Sequence, residues 1–405
     1  MGLVYDDFGN RQRLAVLSER GVRVWGPDRV YVGEDVRLER ICTGAALMNA
    51  TITGSSTFIG AEAQIGVSGL ARVHDAQIGS NSLLGAGSYE NCVLLTGAKA
   101  RGFAELRPGT VLEEESEVGH NVGLKNTVFT AGVAAGSLIN FCDVLLTGGS
   151  SRNDHSEVGS GAVHFNFDPR GDKFGSLMGD ATGCLLQSRR IFIGGNSGVV
   201  APVHLAFGAV VAAGSIVRKD VAENQLSSGD APGQSGDYDL DRYFDLSRKF
   251  YTTAKLVGNL HALRAWYQKV RLPFSESGDK PLYIAADGEF DRHIRHRVKE
   301  LAKVIAKLEK SLSKPSKNSQ DKLFYQQHRR LLENNDRIQS FLVREDYAEV
   351  PVSFVAEYEQ LRNSRSHIDS VRSLPPEASQ VAADWVREIA DRPCLEMRAL
   401  FAVPD

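Results

Sequence analysis

The sequence predicts a mainly β protein, a parallel β-helix built from six-residue rungs, followed by an α-helical C-terminal region with a helical hairpin. Three observations carry this expectation. Ile193, Val199, Leu205, Val211 and Val217 recur six residues apart, a period that fits neither a helix nor a single strand. Small residues and turn formers fill the intervals and dominate the first 230 residues. From residue 238 the pattern changes to that of amphipathic helices.

Taken in order, residues 1–27 form an N-terminal segment. It opens "MGLVYDDFGN", acidic and without an apolar core, so no secretory signal is expected. Residues 28–230 are assigned to the β-helix. Six residues suit one flat side of a three-sided coil, with one aliphatic side chain per side pointing inward onto its equivalent in the next coil. Shorter echoes occur at Ile59 and Ile65, and at Ile78 and Leu84. Glycines such as Gly33, Gly119 and Gly159 follow apolar residues where a corner needs a close backbone approach. An antiparallel β protein with frequent turns is the competing arrangement, and five successive hits at one spacing argue against it.

Residues 238–405 are assigned to the helical region. Ile294, Val298, Leu301, Ile305, Leu308 and Leu312 alternate spacings of four and three, a heptad seam. The polar, proline-bearing "SKPSKNS" interrupts it. Phe324, Leu331, Ile338 and Leu342 then mark a second amphipathic stretch, which predicts an antiparallel hairpin. Residues 291–330 carry twelve Lys or Arg against four acids, most simply a solvated helix face.

Composition narrows the function classes. The formal net charge of the 405-residue chain is −3, which makes nucleic acid a poor partner. No apolar run approaches the roughly 20 residues of a membrane helix. Five scattered cysteines, an odd number without metal-ligand spacing, read as reduced thiols of a cytoplasmic protein. No metal is expected, because the spacing of His155 and His164 matches no ligand motif.

The densest ionisable stretch is "SRNDHSEVGSGAVHFNFDPRGDK", residues 151–173. Strand alternation separates Val163, Phe165 and Phe167 from His164, Asn166 and Asp168. If the apolar set fills the coil, His164, Asn166 and Asp168 stand together on the outer wall. Arg152, Asp154 and His155 lie about one side of a coil earlier and are expected to approach the same groove. Either His155 or His164 suits the role of base in acyl transfer. Arg152 and Arg170 read equally as anion contacts or surface ion pairs; Asp154 and Asp168 as histidine-orienting carboxylates or turn caps. His120 is a further outer-wall candidate.

"GSGAVHFNFDPRGDKF" and "IFIGGNSGVVAPVHLAFGAVVAAGSIVRKDV" resemble the acetyltransferase domain of bacterial bifunctional N-acetylglucosamine-1-phosphate uridyltransferases. Asn166-Phe167-Asp168 with Lys173-Phe174 is the more specific part, and "EVGHNVGLK" (117–125) also matches. The resemblance implies a left-handed β-helix that forms a homotrimer. It further implies transfer of an acyl group from acetyl-CoA or another acyl-CoA, with the active site on a wall facing a neighbouring subunit. It assigns Lys125, Asn166 and Lys173 to a sugar phosphate or nucleotide sugar, and Ala201, Ala212 and Ala213 to the acyl-CoA groove. It places the family's catalytic histidine near Asp143, where this chain has none. The segment 181–190 is an insertion relative to the family, and no glycine-rich nucleotide loop for uridylyl transfer is visible. Two alternatives accompany acyl transfer: a sugar-nucleotide-binding protein without transferase chemistry, and a scaffold.

Overall fold

In the computed structural model, residues 7–229, 238–276, 278–316 and 319–401 are described. Residues 230–237, where the two assigned regions meet, and part of the polar break at 317–318 lie outside them. A 13-residue helix, α1 (Asp7–Glu19), buries Leu14 and Leu17 against the first coil. The chain then winds into a solenoid of parallel strands. Eleven strands stack along its first side, from Arg23–Val24 to Leu226–Ser227. The second and third sides form one continuous sheet, because Gly123–Phe129 and Asn140–Leu146 run round the corner between them without a break.

The six-residue period is the coil's side length. Ile193, Val199, Leu205, Val211 and Val217 are all buried, as are Ile59, Ile65, Ile78 and Leu84. Each stacks on its equivalent one coil away: Val158 on Ile193 on Val211, for example. Packing is therefore one side chain per side per coil. Because such stacks depend only on neighbouring coils, the period is visible locally.

Among the described residues seven further helices follow: α2 (Ser247–Trp266), α3 (Lys280–Leu312), α4 (Ser319–Glu333), α5 (Asn335–Leu342), α6 (Val352–Arg362), α7 (His367–Arg372) and α8 (Pro376–Phe401). The seam of α3 is buried from Ile294 to Leu308, and Leu312 is half-buried. α3 and α4 pack as the expected hairpin, but the second arm is divided at Asn334 into α4 and α5. The helices cover the third side of the solenoid. Val93, Val111, Val128, Leu145 and Leu177 stack along its outer surface and share a core with α2, α3 and α8. The insertion at 181–190 opens as a short 3-10 turn (Ala181–Leu185) whose Ala181 N–H donates to Asn259 Oδ1 of α2, 2.7 Å away. Among the described residues no helix is long and apolar enough to cross a membrane.

Candidate functional site

The corner between the second and third sides gathers the polar chemistry. Two successive coils turn there through residues in the left-handed region, Asn126 (φ 45°) and Asp143 (φ 64°), which Asn and Asp tolerate better than most side chains. Asn126 Nδ2 donates to Asp143 Oδ1 at 2.9 Å. In the next coil the chain leaves the corner as a loop that returns at the strand Ser176–Met178. Asn166, at its start, donates Nδ2 to Asp143 Oδ2 at 2.7 Å. Gly175 at the return is forced: a Cβ there would lie 2.6 Å from the Asp143 carbonyl oxygen and 2.5 Å from Leu256 of α2.

α3 closes this corner from outside. Arg297 Nη2 reaches Asp143 Oδ1 at 2.9 Å, and both side chains are almost wholly buried. Arg297 Nη1 also donates to the Lys173 carbonyl at 3.3 Å. His296 Nε2 stands 3.6 Å from Asp143 Oδ1, with a quarter of its side chain exposed. His293 is fully buried, and neither ring nitrogen has a hydrogen-bond partner. Burial pushes the Asp143 carboxyl up, but the Arg297 guanidinium and the Asn166 amide outweigh it and hold it below the usual carboxylate range. Burial depresses both histidines: His293 falls to about 3, and His296, with Arg297 beside it, to about 4. Both are neutral near pH 7. A buried ion pair of this kind adds little net stability, yet losing one partner strands the other.

The expected facing of residues 163–168 is reversed. His164 is buried, while Phe165 and Phe167 are 47% and 69% exposed. His164 occupies the inward column between Phe141 and Val199. The six-residue period anticipates this, since Val158 points inward and His164 lies one rung later; the apolar character of the two phenylalanines hid it. His164 Nδ1 donates to the Cys142 carbonyl at 2.8 Å. Nε2 therefore accepts from the Ser176 hydroxyl, also at 2.8 Å. Burial holds the ring at about 4, a neutral core histidine with no nitrogen left for substrate.

His155 does not approach the same groove. It belongs to a small antiparallel hairpin (Gly149–Ser151 with Asp154–His155) at the corner between the third and first sides. Its Nδ1 donates to the Arg152 carbonyl at 2.7 Å. Arg152 pairs with Glu117 (2.8 Å) and Asp154 with Arg190 (3.7 Å). His120 is exposed at the remaining corner, between the first and second sides. A three-sided coil thus distributes residues that lie close in sequence to different corners.

Asp168 caps its own loop, accepting from the amides of Arg170 (2.9 Å) and Asp172 (3.3 Å). Arg170 fastens that loop to the carbonyls of Leu240 and Arg242 and lies against the Tyr238 and Tyr243 rings. Lys125 and Lys173 remain exposed. Lys125 sits beside Cys142 in register, and Lys173 pairs across the loop with Phe167. Ala201 lies at the Asp143 corner and is partly covered by the helical core, whereas Ala212 and Ala213 lie at the corner between the first and second sides. The three alanines therefore do not line one groove of a single chain. The residues that sequence reasoning missed are His293, His296 and Arg297. Their place in a basic stretch suggested a solvated face; Arg297 instead is buried.

No family model matches the chain. It is similar to the "Bifunctional protein GlmU" of Oleidesulfovibrio alaskensis, 33% identical over 208 residues, covering 51% of this chain and 41% of that relative. The protein of the same name from Pseudomonas fluorescens is 36% identical over 158 residues (39% and 31%), and that from Acinetobacter baumannii 32% over 224 (54% and 43%). The chain thus covers less than half the length of these curated relatives. Among solved structures, the Francisella novicida UDP-N-acetylglucosamine acyltransferase aligns over 73% of this chain and 92% of its own, at 12% identity and a TM-score of 0.20. At that score the likeness adds nothing to the fold described above.

Proposed function

We propose that this protein is a β-helix acyltransferase that binds a sugar phosphate or nucleotide sugar and acylates it from an acyl-CoA. One observation carries the reading. Lys125, Asn166 and Lys173, which the family resemblance assigns to the sugar phosphate, come to one corner from two chain segments, the strand Gly123–Phe129 and the loop that leads to Ser176–Met178. The two lysines are exposed there, as point charges for a phosphate should be, and Asn166 supplies an amide. The resemblance also implies a homotrimer. The exposed Phe165 and Phe167 beside the corner support packing of a second copy against it.

The test is direct. Purified protein is incubated with acetyl-CoA and glucosamine 1-phosphate or UDP-linked amino sugars, and thiol release and product mass are followed. Transfer is expected with at least one phosphorylated amino sugar; no release above background with any of them ends the reading. A second reading, sugar-nucleotide binding without transfer, is favoured by the engagement of Asp143, at the family's catalytic position, with Arg297, Asn126 and Asn166. It predicts a rise in melting temperature with UDP-sugars and none with CoA.

A further inference from the structure

Acyl transfer at the Asp143 corner needs a proton acceptor, and the solenoid's own side chains there do not offer one. His164 has both nitrogens engaged inside the coil. The Asp143 carboxylate is taken up by two amides and Arg297. The Cys142 thiol is pushed up by burial, and Lys125 is an ammonium, a donor only. His155 and His120 lie at other corners.

α3 changes this. His296 faces Asp143 through Nε2, so the carboxylate can hold the Nε2–H tautomer and leave the Nδ1 lone pair free to accept. Among the described residues Nδ1 has no hydrogen-bond partner. At 3.6 Å the contact exceeds a hydrogen bond, and such contacts commonly tighten only when substrate is bound. The charged and titratable groups around the ring are Asp143 and Lys125 from the solenoid and His293, Arg297 and Glu300 from its own helix. The buried, unpartnered nitrogens of His293 beside Asp143 are a second sign that this corner is built for a polar guest.

We infer that His296, supplied by the helical region and not by the solenoid, is the catalytic base of this site. The inference rests on the acyl-transfer reading. The sugar's amine or hydroxyl gives its proton to His296 Nδ1 as its lone pair bonds to the thioester carbonyl carbon. The carbon–sulfur bond then breaks, and the imidazolium returns the proton to the departing CoA thiolate. The products are the acylated sugar and free CoA thiol, and His296 ends neutral.

The experiment compares the full chain with His296→Ala and His296→Gln, using acetyl-CoA and whichever phosphorylated amino sugar the parent acylates. Loss of a general base predicts a fall in kcat of about 100-fold or more, with KM for acetyl-CoA little changed. Added imidazole is expected to restore part of the Ala variant's rate and none of the Gln variant's, whose side chain fills the space. A Gln variant with the parental melting temperature and a lost rate supports the inference. An active parent whose variants keep rates within about threefold overturns it alone. A parent that transfers to nothing overturns it together with the transfer reading.

Discussion

His164 shows how one side chain can be polar in sequence and structural in the fold. Its column runs Leu124, Phe141, His164, Val199, Val217, all buried. The histidine is tolerated among them because Cys142 and Ser176 satisfy both nitrogens, as buried polar groups require. Its pKa of about 4 lies below the unfolded value of about 6.5. Between those values the unfolded chain binds more protons, so the contribution to stability is intact above pH 6.5 and is lost as pH falls toward 4. From pH 7 to 5 this one residue is expected to cost about 2 kcal/mol. Urea unfolding at both pH values should show His164→Val losing that much less than the parent, although the variant is weaker at pH 7 because the Ser176 hydroxyl and Cys142 carbonyl lose their partner. Equal losses in the two proteins would mean that His164 is not held neutral.

Among the helices, α2 is the pivot, with α3, α8 and the strand Ser176–Met178 all packed against it. Its crossing with α8 is set by Gly258, where an added Cβ would lie 2.0 Å from the Ala390 carbonyl oxygen. Alanine in a helix normally gains about 1 kcal/mol over glycine. Here the neighbour is backbone and cannot swing away, so Gly258→Ala should instead destabilise by about 1–3 kcal/mol, read as a lower urea midpoint. A stabilised variant would show that the helices do not approach so closely. α2 runs on into a π-helical turn, Tyr267–Arg271. Arg271 there is buried against Glu113 and Glu114 of the solenoid, and Tyr267 donates to Glu113 at 2.7 Å. Burial pushes the Glu114 carboxyl up, against the opposing pull of Arg271.

Two cores are stacked in the molecule as a whole. One fills the solenoid, and the other lies between its third side and the helices. The strands Cys92–Leu94, Thr110–Leu112 and Ser176–Met178 separate the two, with inward side chains in one and outward side chains in the other. Neither half can lose its packing without exposing the other's. Urea unfolding followed by far-UV circular dichroism and by tryptophan fluorescence (Trp266 and Trp385 belong to the helical core) should therefore give coincident single transitions. Separated midpoints would mean that the shared core does not couple them. The same arrangement makes the candidate site composite. Asp143 and Asn166 come from the coil, and His296 and Arg297 from a helix laid across it.

The coil, the α3 seam and the hairpin were legible because each is a short-range pattern. Ile193 to Val217 repeat within one stack, and Ile294 to Leu308 within one helix. Lys125, Asn166 and Lys173 were assigned to the site by family resemblance over short motifs, and their part in binding is the proposal made above. The direction in which His164 points was in principle legible too, by counting six from Val158, but alternation around two phenylalanines suggested the opposite face. The meeting of Asp143 with Arg297 and His296, and the separation of His155 from His164, belong to the folded chain alone. A period states which side chains face inward; it does not state which outer wall a distant helix will cover. That choice is made by packing between segments with no shared repeat, where the Gly175 return and the outward apolar column of the third side admit α2 and α3 together.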